Sequence, residues 1–359
     1  MQGQGVSARW VREAKRKSAS EPDVVEAVAP SKRLKRPLGQ GAAFDRWVKM
    51  ARRKLLPHGV VIEGAPGAGK TTVLQYLTAA LLCPSELDPD EPCGMCRTCT
   101  RIANDLHPDV QVVRRPRDDE EFIKKETSFH RITVHQVRAV QDRLLQHAME
   151  GGARVATFIE ANRIEEDGQN MLLKTLEEPG AETFLLLETS RPEQLLETVR
   201  SRVQRLRVLP LSPEVLRGEL EQRFPQHFAR FDVIVPLANG SLGQALAAST
   251  EQAVQLHDLV RQWLATTHNL RPIATAQEAL KGAEEKRDEV QIARLFLWLL
   301  RAELRQQRDR VAASGDGSYG SASLEPWTTW LEQTLQAERD LDLLIPPEQV
   351  LSACLVQLI

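Results

Sequence analysis

Residues 64–71 read Gly64-Ala65-Pro66-Gly67-Ala68-Gly69-Lys70-Thr71, the spacing GxxxxGK[ST] of a loop whose backbone N–H groups turn inward around phosphates. Such a turn tolerates little side chain, which the three glycines satisfy, and it needs a helix N-terminus behind it to offer partial positive charge. The neighbours fit that need. An apolar run, Val60-Val61-Ile62, precedes the loop, and a helix-like stretch from Thr72 to Leu82 follows it. A glycine turn that merely ended in Lys-Thr would have no need of strand and helix in that order. Residues 64–72 are therefore the nucleotide-binding candidates, with Lys70 expected to reach the β and γ phosphates of ATP and the Thr71 hydroxyl expected to bind Mg²⁺.

A second group of residues points to a metal. Cys83, Cys93, Cys96 and Cys99 follow one another as C-x9-C-x2-C-x2-C, with Gly94 and Met95 in the tight turn. Four thiolates can close a tetrahedral site around Zn²⁺ with no position left open, so the expected ion is structural. A redox pair would not need the other two cysteines, and no His, Asp or Glu replaces a thiolate to open a catalytic position. The fifth cysteine, Cys354, lies in an apolar helical pattern and is expected to be core.

Composition narrows the class. The 359 residues carry 47 basic and 49 acidic side chains, a net charge of -2. The chain as a whole therefore does not advertise a nucleic-acid or membrane partner. No apolar run approaches the length that spans a bilayer, and the first residues are charged, so no membrane contact and a cytoplasmic location are expected. Residues 1–36 hold nine basic side chains (Arg9, Arg12, Lys15, Arg16, Lys17, Lys32, Arg33, Lys35, Arg36) against four acidic ones (Glu13, Glu21, Asp23, Glu26) with almost no apolar periodicity. That composition predicts a disordered basic tail, with a phosphate-backbone contact as the sharper alternative.

These residues need a frame. Residues 42–56 read as a helix leading through Pro57 and Gly59 into the strand before the loop. After the cysteines come a short strand at Val110–Val113, a charged loop from Arg114 to Lys125, a helix from Gln136 to Glu150 ended by Gly151-Gly152, and a strand at Val155–Ile159. A helix through Gln169–Leu176 and a strand at Thr183–Leu187 follow. Strands alternating with helices predict a parallel sheet covered on both faces over residues 37–208. From Leu211 only helices are expected: Glu214–Arg223, Phe228–Leu237 and Leu242–Ser249 in a small domain over 209–250. A helical bundle over 251–359 comes last, interrupted at Ser314–Ser323, with Trp298, Trp327 and Trp330 as packing aromatics.

The phosphate loop, the cysteine module behind its helix, Gln169-Asn-Met-Leu-Leu-Lys-Thr-Leu-Glu-Glu-Pro179 and Val199-Arg-Ser201-Arg202-Val203 together resemble the bacterial DNA polymerase III clamp-loader subunits of the AAA+ class. Leu38-Gly39-Gln40 and Ile132-Thr-Val-His-Gln-Val-Arg138 add to the resemblance, which carries specific motifs over about residues 37–250. It implies an AAA+ domain with zinc module and helical lid, then a C-terminal oligomerisation domain. The implied partners are the other subunits of a hetero-oligomeric ring, the sliding clamp, and primed DNA through the assembled complex.

In the motor subunits, gamma and tau, an Asp-Glu pair on a core strand holds Mg²⁺ and a lid arginine assists. The matching positions here are Ile159-Glu160 and Gly243. Isoleucine cannot bind a metal, so slow or absent hydrolysis is expected even where ATP binds, with Glu160 left as the remaining catalytic candidate of the pair. This pattern is similar to the delta prime subunits. Ser201-Arg202-Val203 matches the family's Ser-Arg-Cys, which implies that Arg202 is a finger reaching a neighbour's ATP; read from the residues alone, it is one surface arginine among Arg200, Arg205 and Arg207. The alternatives are a working gamma/tau-type ATPase that relies on Glu160 and Thr71, and an unrelated zinc-bearing nucleotide enzyme.

Overall fold

A computed structural model describes residues 33–114, 131–150, 152–225, 231–265, 271–283, 286–313, 325–343 and 345–358. Residues 1–32 of the expected basic tail, nearly all of the loop 114–125 and the break at 314–323 lie outside the described residues; residues 33–36, expected to belong to the tail, instead pack on the domain, with Leu34 in the core and Arg36 donating to Glu91 at 2.8 Å.

Helix α1 (Gly41–Arg52) precedes strand β1 (Gly59–Glu63), and the loop then enters helix α2 (Lys70–Leu82). A short helix α3 (Arg97–Ala103) follows the last cysteines, and strand β2 (Val110–Val113) comes next. Helix α4 (Val134–Leu144), strand β3 (Arg154–Phe158), helix α5 (Glu166–Glu177), strand β4 (Thr183–Thr189), helix α6 (Glu197–Arg200) and strand β5 (Gln204–Arg207) complete the α/β part. All five strands are parallel, in the order β2-β3-β4-β1-β5.

Successive β1 side chains take opposite sides, as the two-residue period of a strand demands. Val60 and Ile62 join the core shared with α1, α2 and α3, whereas Val61 joins the core shared with α4, α5 and α6. Every residue of β1 and of β4 is buried, so their middles, residues 60–62 and 184–187, read as apolar runs. The expected α/β architecture, a parallel sheet with helices on both faces, is observed. It sets the phosphate loop at the carboxyl end of β1, the edge of a parallel sheet where ligands bind.

The helix expected over 42–56 ends at Arg52, and three further differences from the sequence reading bear on the site. The helix expected over 136–150 stops at Leu144, because the Asp109 carboxylate takes the Met149 and Glu150 N–H groups (2.6 and 2.9 Å) that a longer helix would use internally. Strand β3 ends at Phe158, since Glu160 turns left-handed at φ 56°. Strand β5, with only Leu206 buried among four residues, gives no apolar run to read and was not expected. Its arginines are held from within the sheet: Arg205 donates to the buried Glu63 of β1 at 2.7 Å.

Helices α7 (Pro213–Arg223), α8 (Phe231–Ala238) and α9 (Leu242–Ala248) close around Leu211, Leu216, Leu220, Phe231 and Ile234. The last five helices, α10 (Glu251–Ala265), α11 (Pro272–Ala279), α12 (Lys286–Ala313), α13 (Glu325–Asp342) and α14 (Pro347–Gln357), share a core that includes Val260, Phe296, Leu300 and Leu351. Cys354 is buried in it, its thiol pushed up to about 12 by burial. Trp298, Trp327 and Trp330 pack partly buried against that core, the last two edge to face at 5.1 Å.

Asp342, at the end of α13, ties this bundle to the sheet. Arg163 donates to its Oδ1 at 2.8 Å and Arg294 also bonds it, with Arg191 3.6 Å from Oδ2. Burial alone would raise this carboxyl, but the hydrogen bonds from Arg163 and Arg294 prevail and hold it below the usual carboxylate range.

Candidate functional site

Gly69 stands at φ +90° as the N-cap of α2, with no side chain capping the helix. Gly67 is also left-handed, at +71°. Both conformations strongly favour glycine. The first turn of α2 therefore presents N–H groups toward the loop, the arrangement that receives phosphate.

Lys70 is buried at 5% exposure, and its Nζ donates to the Ala65 carbonyl at 2.9 Å. Burial lowers its pKa against the opposing pull of Glu188 and Glu160. The Thr71 hydroxyl donates to Glu188 Oε2 at 2.9 Å. Glu188 lies on β4, paired in register with Ile62 of β1, and is 7% exposed. Burial raises its pKa, resisted by the Thr71 hydrogen bond and by Lys70, and Glu160 raises it further. A glycine cradle, an uncapped helix start, a buried ammonium and a hydroxyl beside carboxylates suit a triphosphate with its divalent cation; that group would supply the charge which Lys70 and Glu188 now exchange.

Ile159 occupies the position just after β3, where its N–H bonds the Val113 carbonyl at 2.8 Å and its side chain offers no ligand atom. Glu160 lies close enough to act electrostatically on both Lys70 and Glu188. The helical lid closes on the loop from its carbonyl side. Ser241 caps α9 and donates its hydroxyl to the Pro66 carbonyl at 2.9 Å, while the Gly243 N–H donates to the Gly67 carbonyl at 2.9 Å. Gly243 thus does more than lack an arginine. A Cβ there would stand 2.8 Å from the Gly67 Cα. The motif Leu38-Gly39-Gln40 serves the same closure: the Gln40 amide donates to the Leu209 carbonyl and accepts from the Leu209 N–H (3.1 and 2.9 Å), bracing the start of the lid.

The four cysteines come together as expected from their spacing, with all four Sγ atoms within 4.8 Å of one another. Cys83 Sγ lies 3.7 Å from Cys93 Sγ and 3.8 Å from Cys96 Sγ. A tetrahedron of sulfurs at the usual Zn–S distance of about 2.3 Å has edges of about 3.8 Å. The turn is braced by N–H groups aimed at sulfur: Cys96 N–H at Cys93 Sγ and Cys99 N–H at Cys96 Sγ, each 3.4 Å, with Gly94 left-handed between them. Burial of Cys93 opposes ionisation, but the Met95 and Cys96 N–H groups outweigh it and bring this thiol to about 6. Burial and the neighbouring Cys83 push Cys99 well up, so full ionisation of the cluster calls for a cation. The cluster could hold a metal ion. It is fixed to the domain by Arg52, which donates to the Cys83 and Ser85 carbonyls at 2.6 Å.

Arg202 is far from its own loop. Its carbonyl faces Gly59 at the amino end of β1, and four steps of about 3.3 Å along a parallel strand put the loop at least about 13 Å away. The guanidinium is 37% exposed; Nε donates to Glu177 at 2.7 Å and Nη1 to the Thr198 carbonyl at 2.9 Å. Glu177 belongs to the segment 169–179, whose other residues brace the sheet. Gln169 spans the Ile164 carbonyl and the Leu196 N–H, Leu172 and Leu176 fill the core, and Thr175 accepts from Gln141.

Two contributors escaped sequence reasoning: Glu188 and Asp342. Glu188 had one readable signal, a charge at the carboxyl end of an otherwise apolar strand, where parallel sheets place ligands.

Residues 39–212 match the family model described as DNA polymerase III, delta subunit. A delta' subunit of DNA polymerase III from Bacillus subtilis is 30% identical over 213 residues, 58% of this chain and 60% of that relative, so the match spans less than two thirds of its length. The delta' subunit from Pseudomonas aeruginosa is 27% identical over 81% of this chain and 88% of the relative. Among solved structures, a DNA polymerase III gamma subunit-related protein of Thermotoga maritima aligns with 88% of this chain and 98% of its own at 16% identity, with a TM-score of 0.43.

Proposed function

We propose that this chain, whose residues 39–212 match the DNA polymerase III delta-subunit family model, works as a delta prime-like clamp-loader subunit in a hetero-oligomeric ring. In that role it helps place the sliding clamp on primed DNA, and its arginine serves a neighbour's ATP more than its own loop serves hydrolysis. The observation that carries this reading is the polarity of the domain. Arg202 lies at the amino end of β1 and the phosphate loop at the carboxyl end, which supports an action of the guanidinium on a neighbour's γ-phosphate and not on one held by its own loop. Ile159 supports the other half, since it leaves β3 without the carboxylate that would polarise an attacking water. Glu177 holds the Arg202 fork in the free chain, and a partner's phosphate would compete for it as a stronger bidentate anion. Zn²⁺ in the cysteine cluster acts as a structural clasp, with no open coordination position.

The test is reconstitution with the motor subunits. Arg202→Ala should leave ring assembly intact and lower their ATP hydrolysis by about 10³-fold, the scale of an arginine finger. Unchanged hydrolysis would remove the finger assignment, and brisk single-turnover cleavage by the isolated chain, abolished by Lys70→Ala, would favour a gamma/tau-type motor instead.

A further inference from the structure

Position 159 lacks a carboxylate, yet the Thr71 hydroxyl is not without one. Glu188 reaches it from β4, the strand between β1 and β3, with Oε2 2.9 Å from Thr71 Oγ1. The residue is out of place for a structural acid. It is 7% exposed on a strand whose other six residues are Thr183, Phe184, Leu185, Leu186, Leu187 and Thr189, all buried. Burying a carboxylate in such company is costly unless something at the site uses it. The groups that face it are Thr71, Lys70 and Glu160, each belonging to the loop or to the turn after β3.

The geometry points to Glu188 as a positioning residue that makes nucleotide binding at residues 64–72 depend on a divalent cation. This rests on reading those residues as a nucleotide cradle. A hydroxyl has one proton and two lone pairs. When the proton is committed to Glu188, the lone pairs are free for a hard cation, and Mg²⁺ prefers oxygen ligands of this kind. The same buried negative charge repels a triphosphate that arrives without its cation. Glu188 therefore favours the metal complex twice, by orienting Thr71 and by penalising the uncomplexed anion. Ile159 contributes to neither effect. Orientation and electrostatic screening are separable from hydrolysis, so a loop that does not turn over ATP can still hold it as the Mg²⁺ complex.

The experiment compares the affinity of the purified full chain for a fluorescent ADP analogue in excess Mg²⁺ and in excess EDTA. Glu188→Gln keeps the side-chain shape and an acceptor for Thr71 while removing the charge; melting temperature and metal content serve as folding controls. The wild-type chain should bind more tightly with Mg²⁺. In Glu188→Gln the ratio of the two affinities should fall about 10- to 100-fold, the effect of removing a partner of a metal ligand, with EDTA binding unchanged or tighter. Glu188→Asp, which keeps the charge on a shorter arm, should fall between the two. A ratio that Glu188→Gln leaves unchanged overturns the inference, as does a collapse caused by Glu160→Gln and not by Glu188→Gln. Absence of binding to the wild-type chain in both conditions also overturns it, while leaving the clamp-loader reading intact, because co-assembly and the Arg202→Ala arm test that reading without nucleotide at this loop.

Discussion

Substituting Gly243 by alanine isolates the contact between lid and loop. The added Cβ would lie 2.8 Å from the Gly67 Cα and 3.1 Å from the Gly67 carbonyl oxygen. Non-bonded carbons rest about 3.5–4.0 Å apart, so the shortfall is roughly 0.7–1.2 Å against backbone that no rotamer change can move. Overpacking of this kind costs about 1–3 kcal/mol. The helix gives something back, since alanine is favoured over glycine by up to about 1 kcal/mol in a helix interior, though less at the second residue of α9. Repulsion wins, and the docked-to-undocked ratio should fall roughly 5- to 30-fold, the change that one to two kcal/mol produces. The control is Gly218→Ala in α7, where a Cβ would meet nothing within 4 Å. There the helix term stands alone and should stabilise the lid by about 0.5–1 kcal/mol. Hydrogen exchange followed by mass spectrometry over residues 64–72 and 242–248 reads the difference: faster in Gly243→Ala, unchanged or slower in Gly218→Ala. Equal protection in the two variants would mean that the lid does not rest on the loop.

Metal analysis of protein purified under reducing conditions should find about one zinc per chain, and its removal by a chelator should expose α3 to hydrogen exchange while β1 and β4 stay protected; metal-free protein with α3 already protected would refute the clasp. Binding should weaken as pH falls, because Cys99 and Cys96 have raised pKa values and must lose protons to ligate, whereas Cys93, near 6, is already ionised at pH 7; an affinity that is flat between pH 6 and 8 would contradict this. Asp342→Asn should loosen the bundle from the sheet by about 3 kcal/mol, the usual cost of removing one partner from a buried ion pair. Because the folded carboxyl is depressed, its stabilisation is present above its unfolded value of about 4 and is lost as acid drives the pH through the lower folded value, so the variant should differ from wild type in denaturant midpoint at pH 7 and converge with it in strong acid.

The parts of this molecule that were legible in the sequence are those written as local patterns. GxxxxGK[ST] between an apolar strand and a helix announces its own geometry, because loop, helix start and Lys70 are neighbours in the chain as well as in space. The cysteines are legible for the same reason: three of them lie within seven residues, and the fourth ends the helix that precedes them. Strands β1, β3 and β4 are buried on both faces and read as apolar runs. Strand β5 does not. Its Gln204, Arg205 and Arg207 are exposed, and its alignment comes from pairing with β1 and from Glu63, 142 residues earlier than Arg205.

The same distinction separates Ile159 from Glu188. The isoleucine at 159 is visible because the family pattern fixes where to look, but the carboxylate that meets Thr71 comes from a different strand, 117 residues further on, and no spacing rule connects them. Parallel strands bring such pairs together only through their order in the sheet: with β4 between β1 and β3, the end of β4 is nearer the loop than the end of β3. The turn after β3 carries Glu160 and Arg163, and the turn after β4 carries Arg191, two arginines that meet on Asp342 of the last domain. The two turns that border the phosphate cradle therefore also carry arginines that hold the C-terminal bundle. Glu160 and Glu188 each stand three residues before one of the arginines that meet Asp342.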